Sequence, residues 1–251
     1  MVKTATMRLT FTIDDRYLLA HTLASMGPSA FSASPHNATV VDVQNEAWRV
    51  SQPTYDLLAG RLYPHVISNI EAIVSELPKF FQTVVRSLPF QKLRGETERY
   101  LEFCAEQWEN NRERTTQIVR DLTGFDLDRA FVVYITHPSL RNGHLIDDAH
   151  IAWGHHEDWP NYTTVCLWHE ILHAYFERND LNHALIQFIA DNELRVQLNG
   201  GTYPPFIGHS HLFPLMERLL PKWKQHLATK PPRDLAALQR VVEDGGQPTE
   251  P

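Results

Sequence analysis

Cysteine is scarce in this chain, with only Cys104 and Cys166 among 251 residues. They carry no paired motif, so no disulfide framework is expected, and the usage suits a reducing cytoplasm. Positive charge is also short: 23 Lys and Arg against 30 Asp and Glu leave a formal charge of -7. That balance argues against a nucleic-acid partner, which needs a concentrated positive surface. No run approaches the roughly 20 apolar residues needed to span a bilayer, so no membrane segment is expected. Met1 to Asp15 alternates polar and apolar residues without a hydrophobic signal core, which argues against export by the usual signal route. There is no internal repeat, and no low-complexity linker before residue 228.

What remains is an ordinary globular composition, 43% hydrophobic, long enough for one large domain or two small ones. The first half reads as mostly helical. A short strand over Met7–Ile13 precedes a helix from Tyr17 to Met26. Helical patterns follow over 44–60, over 63–87 with a break at Pro78, and from Glu96 to Leu122 with a stop at Gly124. The character changes at Phe131. Phe131–Ile135 and His150–Gly154 read as strands, with a turn over Pro138–Gly143 between them. Helices follow over Asn161–Glu177, from Asn182 to the Asn199-Gly200-Gly201 stop, and over Leu212–Leu227. This predicts an α+β, predominantly helical protein. It divides into a helical region over 1–125, a core over 126–228 and a flexible tail over 229–251, the regions being able to form one compact domain.

Histidine is abundant, with 14 residues, several of them between His137 and His211. Five residues in that stretch, His169-Glu170-Ile171-Leu172-His173, read H-E-x-x-H. Histidines four apart lie one above the other on a helix face and can reach one metal ion, while Glu170 stands at the edge of that face as a candidate base. The rest of the helix agrees. Val165, Trp168, Leu172 and Phe176 form an apolar stripe beside a polar side carrying Cys166, His169, Glu170, His173 and Glu177.

A catalytic zinc ion usually takes three protein ligands. Glu177 is a poor third, because ligands at i, i+4 and i+8 span roughly 12 Å along one helix. Cys166 lies one turn before His169 and reads better as a packed thiol. Asn179 stands where the longer H-E-x-x-H-x-x-G-x-x-H pattern needs histidine, and Phe176 where it needs glycine. Glu193, on the next helix, is the best candidate. Returning beside the histidines, its carboxylate would enter an apolar seam where a metal relieves the cost of burying it.

His169-Glu170-x-x-His173 followed by Asn192-Glu193 resembles the gluzincin, thermolysin-like zinc metallopeptidases over roughly residues 150–199. The resemblance implies a zincin-like core, with a small mixed sheet packed on the motif helix. It implies one zinc ion held by His169, His173 and Glu193, with Glu170 as general base and acid. It also implies that His150–Gly154 is a sheet edge along which an extended substrate pairs, through His150, Ala152 and Trp153. Departures are present. Gln197 stands where the family has an acidic residue that orients a zinc histidine, and the helical first half is unlike thermolysin's sheet-rich domain.

The expected chemistry is hydrolysis of a peptide or protein substrate. Tyr203 and His209, in the loop after the Glu193 helix, are candidates to stabilise the oxyanion, with His211 beside them. His155-His156-Glu157-Asp158 reads as a solvated loop rather than a second metal site, and His137, His144 and His183 have no distinguishing context. Alternatives are a metallopeptidase-like binding or regulatory protein, a zinc hydrolase acting on another bond, and a helical protein without metal.

Overall fold

The computed structural model describes residues 7–25, 37–59 and 77–244. They form helices and one small mixed sheet, and no helix among them is long and apolar enough to cross a membrane. The chain divides into two compact units that do not follow its linear order. One comprises Leu9–Glu106 with Phe131–Asp158, and the other Met1–Arg8, Gln107–Ala130 and Trp159–Pro251.

The first unit holds the sheet, whose strands are β1 (Arg8–Thr12), β2 (Ala130–Ile135), β3 (Asn142–Leu145) and β4 (His150–Gly154), in the order β1-β2-β4-β3. β4 pairs in parallel with β2, Val132 opposite His150, and antiparallel with β3, Asn142 opposite Gly154. β4 is therefore an inner strand with hydrogen-bonding neighbours on both sides. This corrects the expectation of a substrate-pairing edge: the backbone of His150, Ala152 and Trp153 is already engaged. Ala152 and Trp153 are buried, and His150 pairs with Asp147 at 2.8 Å. β3, expected as part of a turn, is a strand because Arg141 adopts a left-handed conformation (φ 48°) and turns the chain back along β4.

The helices of this unit are α1 (Asp15–Ala24), α2 (Ala38–Val50), α3 (Gln52–Leu58), α4 (Leu77–Val85) and the first part of α5 (Leu88–Thr123). Their starts follow capping chemistry. Asp14 accepts from the Tyr17 N–H at 2.7 Å and Asn37 from the Val40 N–H at 3.0 Å, contacts worth about 1 kcal/mol each. The single helix expected over 44–60 is two, divided where Ser51 caps α3 and Pro53 sits in its first turn. Pro78 stands in the first turn of α4 as described, and residues 63–76 of the expected helix lie outside the described residues. Leu18, Leu23, Val43, Phe81, Phe90 and Leu93 make the centre of the core.

The second unit is helical. It contains the rest of α5, α6 (Tyr162–Leu172), α7 (Asp180–Gln187), a π-helical segment (Phe188–Leu194) that continues into α8 (Arg195–Asn199), then α9 (Phe213–Leu227) and α10 (Leu235–Asp244). α5 stops at Gly124, whose φ of +70° and close approach to the Arg233 carbonyl leave no room for a side chain. α10 replaces part of the expected flexible tail. Leu235, Leu238 and Val242, at spacings of three and four, are buried on one face, and Lys222 of α9 donates to the Val241 carbonyl at 2.9 Å.

Candidate metal centre

The motif helix α6 is held by its polar start and apolar middle. Asn161 precedes it in the left-handed conformation (φ 62°), and the Thr164 N–H, in the first turn, donates to Gln107 Oε1 at 2.9 Å. Trp168 is fully buried, its indole N–H donating to Thr115 at 2.8 Å and its ring 5.5 Å from that of Trp108. Val165, Leu167, Ile171 and Leu172 are buried as well. The helix ends earlier than expected, at Leu172, and His173 is its C-cap, still in right-handed geometry. His169 and His173 thus keep a common face, their ring centres 5.0 Å apart.

Around this pair the structure gathers two further histidines. His183 comes from α7 and His209 from the turn before α9. Nitrogen donors of His169, His183 and His209 all lie within 4.8 Å of one another, the one such grouping of metal donors among the described residues. The Nε2 atoms of His169 and His183 face each other at 3.2 Å. Two nitrogens meeting at that distance need one proton, or one cation, between them. In a tetrahedral zinc site, with bonds of 2.0–2.1 Å, ligand nitrogens stand about 3.3 Å apart, a spacing that the His169–His183 pair matches, with the His209 donor within 4.8 Å of both. His173 adjoins the triad, its ring 4.8 Å from that of His183.

Asp191, buried on the π-helical segment, lies behind His169, with its Oδ2 2.9 Å from Nδ1. It accepts the Nδ1 proton and leaves Nε2 turned toward the other histidines, the carboxylate–histidine arrangement that orients metal ligands. Burial alone lowers the affinity of His169 for a proton, but Asp191, with Glu170 adding its charge, pushes the pKa up to about 9. The other rings move the opposite way. Burial and the neighbouring imidazoles bring His173 down to about 3 and His183 down to about 4, and lower His209 as well. Unprotonated imidazole is the form that binds metal.

The structure does not bring Glu193 into this group. Its carboxylate accepts from the Tyr203 hydroxyl at 2.5 Å and from Gln197 Nε2 at 2.8 Å. The physical reason is angular. Residues two apart on a helix point to opposite sides, so turning Asp191 toward the histidines turns Glu193 away. Gln197 is bound to Glu193, and the carboxylate that meets a motif histidine is that of Asp191. Tyr203 gives its proton to Glu193 and accepts from the Trp223 indole at 2.8 Å, and burial followed by the Glu193 bond raises its pKa. Its hydroxyl is thus committed, which removes Tyr203 from the candidates for an oxyanion donor. His209 joins the histidine cluster instead. His155 is pinned in its own unit by Tyr100, whose hydroxyl donates to the His155 carbonyl at 2.6 Å.

His183 and Asp191 are the residues that sequence reasoning missed. A signal was present: His183, Gln187 and Asp191 fall at i, i+4 and i+8 in an otherwise apolar stretch, a polar stripe on one helix face. Comparison with family models, curated proteins and solved structures finds no match.

Proposed function

We propose that this protein is a zinc-dependent hydrolase of the metallopeptidase type, acting on peptide or protein substrates through one catalytic ion. The convergence of nitrogen donors from His169, His183 and His209 within 4.8 Å, at the helix that carries Glu170 beside His169, is the observation that carries this reading. These three histidines would hold the ion. The zincin-type fold and the cytoplasmic location expected from sequence belong to the same proposal. The first is supported by the packing of α6 on the π-helical segment, the second by the small number of cysteines, two in the whole chain.

Zinc, when bound, would polarise a scissile carbonyl and lower the pKa of water toward about 7. The protein supplies the rest. Asp191 fixes the tautomer and direction of His169. Glu170 follows His169 and is half-buried, so its carboxylate can take a proton from the attacking water and return it to the leaving amine. His173, beside the triad but outside it, is the imidazole left to donate to an oxygen that gathers negative charge.

Two measurements test the reading. Metal analysis of purified protein is expected to find about one equivalent of zinc, or uptake of one on addition; neither occurring refutes it. Glu170→Gln is expected to keep the metal and lose cleavage of a quenched peptide library, and cleavage at the wild-type rate by that variant rules out the assigned base.

A further inference from the structure

We infer that Asn192 and Glu193 are positioning residues that hold His209 at the metal centre by pinning the strap over residues 203–209. The inference rests on the metal reading above.

His209 is exposed and lies on a connection rather than inside a helix, so its chain must be fixed by something else if its ring is to stand 4.7 Å from that of His183. The strap is fastened at two points to neighbouring residues of the π-helical segment. Asn192 has no exposed surface, and its side chain takes both backbone groups of Ile207. Its Oδ1 accepts from the Ile207 N–H at 3.0 Å and its Nδ2 donates to the Ile207 carbonyl at 3.1 Å. A third bond, from Nδ2 to the Gln187 carbonyl at 2.9 Å, fixes the amide itself. Four residues earlier, Tyr203 is fastened to Glu193 and to Trp223 of α9.

Between the second anchor and His209 stands Gly208, with φ at +118°. A Cβ there would lie 2.8 Å from Asp191 Oδ2 and closer still to the amide oxygen of Gln187. Glycine is required both by the backbone conformation and by the approach of the strap to the carboxylate that orients His169. One helical turn thus does three jobs with three consecutive residues. Asp191 orients one ligand from behind, while Asn192 and Glu193 hold the strap that delivers another. The Asn-Glu pair that suggested a direct ligand acts at one remove.

The test uses the full chain, with zinc and cobalt(II) as probes. Affinity is read by competition with a chromogenic chelator and ligand geometry by the visible spectrum of the cobalt form. Asn192→Ala is expected to weaken zinc binding about 10–100-fold, the range for residues that orient ligands. It should also change the cobalt spectrum in the same sense as His209→Ala. Gly208→Ala and Tyr203→Phe, which act from the strap side and leave Asn192 in place, are expected to do the same to a smaller degree and keep the inference testable if Asn192→Ala does not fold. Wild-type affinity and spectrum in the strap-side variants, with His209→Ala still impaired, would overturn the inference and leave the metal site standing. A wild-type protein that takes up neither ion defeats the metal reading and this inference together.

Discussion

His169 Nδ1 and Asp191 Oδ2 stand 2.9 Å apart across 22 residues of sequence, both side chains almost wholly buried. This contact joins the motif helix to the helix after it and decides which ring nitrogen of His169 is presented to a ligand. Removing the carboxylate leaves the ring in place but frees its rotation and tautomer. Asp191→Asn, which keeps the shape, is expected to weaken zinc binding about tenfold, and Asp191→Ala up to about a hundredfold. Chelator competition reads both, and unchanged affinity in the alanine variant contradicts the orienting role.

The alternative ligand sets separate by single substitutions. His183→Ala and His209→Ala are expected to abolish stoichiometric zinc retention through gel filtration, whereas Glu193→Ala retains about one equivalent. Loss of zinc from Glu193→Ala with full retention by His183→Ala would restore the glutamate as third ligand. Glu193→Ala has a separate cost, because it leaves the Tyr203 hydroxyl without its acceptor. That is worth about 1–2 kcal/mol and is visible as a lower urea midpoint.

Away from the histidine cluster, His21 gives the first unit a dependence on pH. It is 8% exposed, and burial, reinforced by nearby His144, lowers its pKa to about 4. The unfolded chain has a value near 6.5, so between pH 6.5 and 4 the unfolded state binds the extra proton. Stability from this residue is therefore full above about pH 6.5 and falls as the pH drops toward 4, by about 3 kcal/mol in total. Urea unfolding at pH 7 and pH 4.5, compared between wild type and His21→Leu, measures it. The variant should lose less stability on acidification, and equal losses would remove His21 as the cause.

The C-terminal helix makes a prediction of its own. Leu235 has no exposed surface, and truncation to alanine there is expected to cost about 2–4 kcal/mol, as for other buried leucines. A change below about 0.5 kcal/mol in the urea midpoint would show that α10 adds nothing to the unit.

Several parts of this fold could be read in advance because their pattern is local. Phe131–Ile135 is an uninterrupted apolar run, and the stripe of Val165, Trp168 and Leu172 marks the buried side of α6. β3 could not be read so, because Asn-Gly-His-Leu has neither alternation nor apolar weight, and only its pairing with β4 makes it a strand. α10 was hidden by the Pro/Gly-rich residues around it, although its own 235, 238, 242 spacing is amphipathic. At the site, His169, Glu170 and His173 announce themselves by spacing. His209 is separated from them by 36 residues or more, and its approach depends on where the strap is tied, which no local period encodes. Glu193 was placed by extending a uniform helix, and the direction it faces depends on Asp191 having taken the opposite side.

The π-helical segment Phe188–Leu194 makes the centre a matter of counting. Such a turn holds one residue more than an α-helical turn would, and deleting that residue would restore the ordinary ladder. Each residue of the wider turn advances by less than the about 100° of an α-helix, so Asp191, eight residues after His183, returns to its side. His183 stands before the segment, and Asp191, Asn192 and Glu193 stand within it. A uniform α-helix over the same residues would instead set Asp191 about 80° away from His183, turning the orienting carboxylate and both strap anchors off that side together. The length of this stretch is as much a part of the site as the identity of its histidines.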